Sequence, residues 1–150
     1  MIEEDFGLLG QLIAGGAASA CTIAVHAMVM TTVIWAAQTA ARDLDGRRAF
    51  FLPGIMTVTV LSLMTAHTAE VLVWAFVYKL VDLTPDTTSR VYFAFVNYTT
   101  LGYGDIIPVR RWQLLGPITA MNGVLLFGWS TAVIFEVLRK AYERTPAQTR

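Results

Sequence analysis

Three long stretches of this chain contain no Asp, Glu, Lys or Arg, and their lengths decide what it can fold into: Phe6 to Ala41, Ala49 to Ala69 and Trp112 to Phe135. A helix rising 1.5 Å per residue needs about 20 apolar residues to cross roughly 30 Å of hydrocarbon, so each stretch can span a bilayer. With 55% hydrophobic residues, 15% charged residues and a mean hydropathy of +0.55, the composition lies outside soluble globular usage. The expected fold class is an all-α membrane protein with three transmembrane helices. The chain opens on Glu3, Glu4 and Asp5, and its first apolar run is far longer than a signal h-region, so no cleaved signal peptide is expected. Cys21 has no second cysteine to pair with, and core packing is its expected role. A formal net charge of zero, with no basic run interleaved with aromatics, argues against a nucleic-acid partner.

The basic residues orient the spans, because cytoplasmic flanks carry the excess of Lys and Arg. Arg42, Arg47 and Arg48 follow the first span, and Arg139, Lys140 and Arg144 follow the last. Both clusters face the cytoplasm if the N-terminus is outside and the C-terminus inside, as expected for a multi-pass plasma-membrane protein. Arg110 and Arg111 then sit on the outer side, as interfacial anchors or vestibule charges. Trp74, Tyr78 and Lys79 mark the outer interface. No helix carries a basic residue at every third position, so no voltage sensor of the usual kind is present.

Between the second and third spans lie about thirty residues, too few to cross the membrane and return as two full helices. Thr84, Pro85 and Asp86 read as a helix start: a capping hydroxyl, a preset φ and an acid at the positive dipole end. A short helix is expected over 85–98. The glycines of Thr99-Thr100-Leu101-Gly102-Tyr103-Gly104-Asp105 break it. Non-helical backbone at membrane depth is tolerated only where protein buries it or a water-filled cavity meets it, so this re-entrant segment should face a pore.

That heptapeptide resembles the selectivity filter of potassium channels, and residues 50 to 139 are similar to bacterial two-transmembrane potassium channels. The resemblance does not cover the first helix. It implies a homotetramer with one filter strand per subunit, and K⁺ ions held by the carbonyls of Thr100, Leu101, Gly102, Tyr103 and Gly104, with the Thr100 hydroxyl at the inner end; no other cofactor is expected. Carbonyl oxygens replace the hydration shell of the ion. To aim successive carbonyls at one axis, alternate residues must take dihedrals that a Cβ resists, hence Gly102 and Gly104. Leu101 stands where valine is commoner in the family. Tyr103 is the residue expected to separate a K⁺-selective filter from relatives that admit Na⁺, bracing the filter from behind. The implied division is an extra helix and cytoplasmic loop over 1–48, a pore domain over 49–140 with filter 99–105 and inner helix 111–140, and a cytoplasmic tail over 141–150.

Around the filter, Thr99 and Asp105 are expected to support its ends. Glu70, an intramembrane acid, should find a buried partner, with Asn97 or Asn122 as candidates. His67, three residues earlier, shares its face; filter support is the expected role of the pair, with proton sensing as the alternative. His26 is expected to be packed or hydrogen-bonded, with no metal constellation around it. On the inner helix, Gly123 and Gly128 resemble the family's hinge region or serve close helix packing. Steps of four from Gly123 bring Phe127, Thr131, Phe135 and Arg139 to one face. By the family's pattern that face lines the cavity, and Phe135 forms a cytoplasmic constriction or packs against its neighbours. Glu136 pairs with Lys140 or rings the inner mouth. Pro117 kinks or caps the start of that helix. Gly15, Gly16, Ala18, Ser19 and Ala20 of the first helix should let it pack on the pore domain.

A non-selective cation channel, a potassium uptake transporter and a non-conducting scaffold are the alternatives. Tyr103 argues against the first, the single pore segment against the second, and the intact filter against the third. No nucleophile with a base, catalytic carboxylate pair or phosphate-binding glycine loop suggests an enzyme.

Overall fold

The computed structural model describes residues 2–40, 48–84 and 87–143. Arg42 and Arg47 of the first basic cluster, Pro85 and Asp86 of the helix start, and Arg144 with the rest of the tail lie outside the described residues. Four α-helices follow in order: α1 (Ile2–Ala40), α2 (Arg48–Leu80), α3 (Thr87–Tyr98) and α4 (Leu115–Glu143), with a 3₁₀ turn at Arg110–Trp112 before α4. No β-sheet pairing occurs among the described residues, and the strand-like segment after the third helix, residues 101–104, is unpaired. Three segments are long and apolar enough to cross a membrane, Gly7–Thr39, Pro53–Leu80 and Arg110–Lys140. The fold is therefore all-helical, with one short helix between the second and third spans.

Hydroxyl groups on these spans are satisfied locally. Thr31, Thr32, Thr57, Thr65 and Thr68 are exposed, and each donates to the carbonyl four residues back at 2.7 to 2.9 Å. No water competes inside a bilayer, so this back-bonding is what permits polar residues on a lipid-facing surface.

Helix α1 packs on α2 and α4, and α3 on α2 and α4. Small residues bring α1 close: a Cβ on Gly15 would stand 2.8 Å from the Ile118 side chain, and Ala18 is buried. Gly16 and Ala20 face away from that contact, and Cys21, expected in the core, is exposed. At one i, i+3, i+4 spacing only one side of α1 meets the bundle, and Cys21 lies on the other. Gln11 accepts the Leu114 N–H at 2.8 Å, which caps the chain entering α4. Regular helix starts at Leu115 rather than 111, because the 3₁₀ turn precedes it. Pro117, the third residue of α4, falls where helical N–H groups have no intrahelical acceptor, so it costs no hydrogen bond.

The core has two apolar clusters. One joins Trp74, Tyr78, Leu83, Phe93, Tyr98, Leu115 and Leu126; the other joins Met30, Val33, Leu63, Val133 and Val137. Between them in sequence on every long helix lies a buried polar residue: His26 on α1, Glu70 on α2 and Ser130 on α4.

Candidate functional site

The short helix α3 and the strand after it are joined by the way α3 ends. The Leu101 N–H donates to the Val96 carbonyl and the Thr100 N–H to the Asn97 carbonyl, each at 2.9 Å, with Thr100 at φ +60°. This is the two-bond helix terminator that ordinarily requires glycine at the left-handed position. Helix α2 ends in the same way, with Leu83 bonded to Tyr78, Asp82 to Lys79 and Asp82 at φ +47°. Aspartate tolerates that conformation, whereas a β-branched threonine is strained in it by about 1–3 kcal/mol. Arg90 of α3 ties the turn after α2, donating to the Thr84 carbonyl at 2.6 Å and to Asp82 at 3.3 Å.

Beyond Thr100 the positive φ recurs at Gly102 (+57°) and Gly104 (+75°), while Leu101 and Tyr103 do not share it. In an extended strand successive carbonyls point to opposite sides. A reversal of φ at every second residue lets them share a side. Among the described residues, no donor bonds the carbonyls of residues 99 to 105. Leu101 and Tyr103 are exposed, Tyr103 at 65%. A Cβ at Gly102 or Gly104 would meet nothing within 4 Å, so backbone conformation is what glycine satisfies there.

Behind this strand the base of α3 is held from the three other helices. The buried Tyr98 hydroxyl donates to Glu70 Oε2 and lies 2.9 Å from His67 Nδ1. His67 Nδ1 is 3.0 Å from Glu70 Oε2, and His26 Nδ1 is 2.8 Å from Glu70 Oε1. Ser130 of α4 lies 2.9 Å from His67 Nε2. Burial, reinforced by the Glu70 carboxylate, holds the Tyr98 phenol far above its ordinary range, so it acts as a neutral donor. A second chain of bonds runs from Asn97 Nδ2 to the Tyr78 hydroxyl and on to Thr119 Oγ1, at 3.3 and 2.6 Å. At the outer end, hydrogen bonding to Asp105 raises the pKa of Tyr92. Thr99 Oγ1 donates to the Phe95 carbonyl at 2.7 Å.

Several expectations are corrected here. Glu70 does find α3, but through Tyr98; Asn97 turns to Tyr78, and Asn122 accepts from Thr22 and Trp74 at 3.0 and 3.1 Å. His26 is not isolated: among the described residues, His26, His67 and Glu70 each present a metal-ligand atom, all within 4.8 Å of one another. His26 and Ser130 were the missed partners, and the signal for His26 was its position as a lone imidazole in an apolar span. A Cβ at Gly123 would lie 2.1 Å from the Tyr98 carbonyl oxygen, so the inner helix approaches α3 closely there, whereas Gly128 meets nothing within 4 Å. Phe127 does not share one environment with Thr131 and Phe135. All three are exposed, but the Phe127 ring also packs on His67 and Tyr98, with centroids 4.6 and 5.4 Å away. Glu136 pairs with Lys140 at 3.0 Å and also with Arg139 at 2.9 Å.

The sequence profile of the family described as "Ion channel" matches residues 66–140, half of the 150-residue chain. The match begins in α2 and takes in α3, the strand after it and α4. No curated protein and no solved structure matches the chain.

Proposed function

The chain belongs to the ion channel family, and from that premise we propose that it is one of four identical subunits of a potassium-selective channel of the plasma membrane. The observation that carries this reading is the alternation of positive φ at Thr100, Gly102 and Gly104 in a segment whose carbonyls have no donor among the described residues. Unpaired carbonyls at membrane depth cannot face lipid, where each would cost several kcal/mol. Their remaining options are a neighbouring subunit, water in a cavity or a cation, and a ring of four strands offers the oxygens that replace the water shell of K⁺. Exposed Leu101, Tyr103 and Ile107 on the same segment favour cover by neighbouring subunits.

In this reading residues 49–140 make the pore unit, and 1–48 add a helix outside it. The N-terminus lies outside and the C-terminus in the cytoplasm. The C-terminal end of α3 directs its negative dipole end toward a central cavity, while Thr99, Asp105, Asn97 and the Glu70 to Tyr98 bond hold the strand in place. Phe135 and Thr131 are the candidates for lining the inner pore. No enzymatic step is assigned. The test is ion flux into liposomes containing the purified protein. K⁺ uptake well above Na⁺ uptake is expected, and Gly102→Ala should abolish it, because a Cβ in the left-handed region costs about 1–2 kcal/mol in every subunit. Equal passage of both ions would refute selectivity, and no passage of either would refute the channel.

A further inference from the structure

We propose that His26, His67 and Glu70 form a binding site for a divalent transition-metal ion of the zinc type, where α1 and α2 meet beside Tyr98. The geometry points to a shared centre. The Nδ1 atoms of the two rings lie 2.8 and 3.0 Å from separate oxygens of the Glu70 carboxylate. Ligands held about 2.0–2.2 Å from one zinc in tetrahedral geometry stand roughly 3.3–3.6 Å apart, and the three side chains present ligand atoms within 4.8 Å of one another, so they must close by no more than about 1.5 Å to share an ion. Two imidazoles with one carboxylate suit zinc and its transition-metal neighbours; calcium and magnesium take oxygen ligands.

The hydrogen-bond count on the far side of both rings supports the ion. Ser130 Oγ lies 2.9 Å from His67 Nε2 and 3.4 Å from His26 Nε2. If both rings are neutral and donate from Nδ1 to Glu70, both Nε2 atoms need a donor, and Ser130 has one proton to give. One buried acceptor then goes unpaired. A metal on both Nδ1 atoms reverses this: both Nε2 atoms carry protons, and the two lone pairs of Ser130 accept them. The Tyr98 hydroxyl, donating to Glu70, completes the outer shell. Trp129 and Phe127 cover the rings, with centroids 5.2 Å from His26 and 4.6 Å from His67. His26 and Glu70 are fully buried, and the His67 side chain is 14% exposed, which leaves a route of entry past that residue. The residual positive charge faces the negative C-terminal end of α3. An ion there would pin α1 to α2 and, through Tyr98, to the end of α3 just before Thr99.

The test uses the full chain purified in detergent, stripped with a chelator and reloaded with Zn²⁺ or Co²⁺ alone. It needs no measurement of current, so it stands or falls separately from ion selectivity. About one zinc per chain is expected by elemental analysis, with a visible Co²⁺ spectrum of tetrahedral nitrogen and oxygen ligation. His26→Ala and Glu70→Gln should weaken binding by more than the roughly 10- to 100-fold expected for loss of the outer-shell hydroxyl in Ser130→Ala. His67→Cys keeps a ligand in place and should add a sulfur-to-cobalt charge-transfer band, which a purely structural histidine would not. Background zinc in the unmodified chain, or zinc content unchanged by His26→Ala, overturns the proposal.

Discussion

Gly123 and Gly128 lie on the same helix, yet their surroundings assign them different roles. A methyl group at Gly123 would collide with the Tyr98 carbonyl, which is backbone and cannot swing aside, whereas the space around Gly128 is open. Gly123→Ala should therefore lower stability by about 1–3 kcal/mol, as overpacking does. Gly128→Ala should be neutral or raise it by up to about 1 kcal/mol through helix propensity. Thermal unfolding of the purified protein checks both, and equal effects would contradict the packing role. Tyr98 offers a second prediction at this scale. Tyr98→Phe removes a donor from a fully buried carboxylate, and a loss of about 1–3 kcal/mol is expected in the same assay. That Glu70 needs a buried partner was legible in the sequence, because an acid in an apolar span rarely stays alone. Which partner it takes was not, because Tyr98, His67 and His26 reach it from three different helices.

At the scale of the element, α1 is where structure adds most. Its glycines and alanines announced close packing, but only the helix rotation decides which of them touch. Gly15 meets Ile118, and Gly16 meets nothing. Gly15→Leu should thus push α1 from α4 at a cost of about 1–3 kcal/mol, while Gly16→Leu should leave stability unchanged or slightly higher. Similar losses from both variants would argue that α1 sits in another rotation. Polar contacts set the same rotation: Gln11 caps the entry to α4, Thr22 bonds Asn122, and His26 bonds Glu70. Helix α3 shows the opposite balance. Its C-terminus at Tyr98 was legible from the glycines that follow, but its stop motif places a threonine in the left-handed position, where sequence rules look for glycine.

For the whole molecule, a single chain leaves one region incomplete. Ile107 is 86% exposed, and the carbonyls of residues 99 to 105 before it have no donor among the described residues. Chemical cross-linking of the purified protein should give a ladder ending at four chains; a ladder ending at two would rule out a fourfold pore. A chain lacking α1 should fail to form a stable assembly in detergent, as judged by size-exclusion chromatography. Removal of α1 takes the His26 partner from Glu70 Oε1 and one of two donors from Asn122, and a buried carboxylate oxygen left bare costs about 1–3 kcal/mol or more. An α1-deleted chain as stable as the full one would show that the helix is an accessory to the pore unit.

The amino-acid sequence by itself determined the three apolar spans, the short helix between the second and third, and the glycines of the strand after it. These depend on local quantities: run length against bilayer thickness, and backbone conformations that only certain residues tolerate. Tertiary structure alone decided the meeting of His26, His67, Glu70, Tyr98 and Ser130, and the close approach of Gly123 to the Tyr98 carbonyl. Apart from the His67–Glu70 pair, three positions apart on one helix, those contacts join residues separated by 25 positions (Tyr98 to Gly123) to 104 (His26 to Ser130) along the chain. Nothing in periodicity or composition records how four helices rotate about their axes when they pack, and that rotation is what turns three polar residues in separate apolar runs into one cluster.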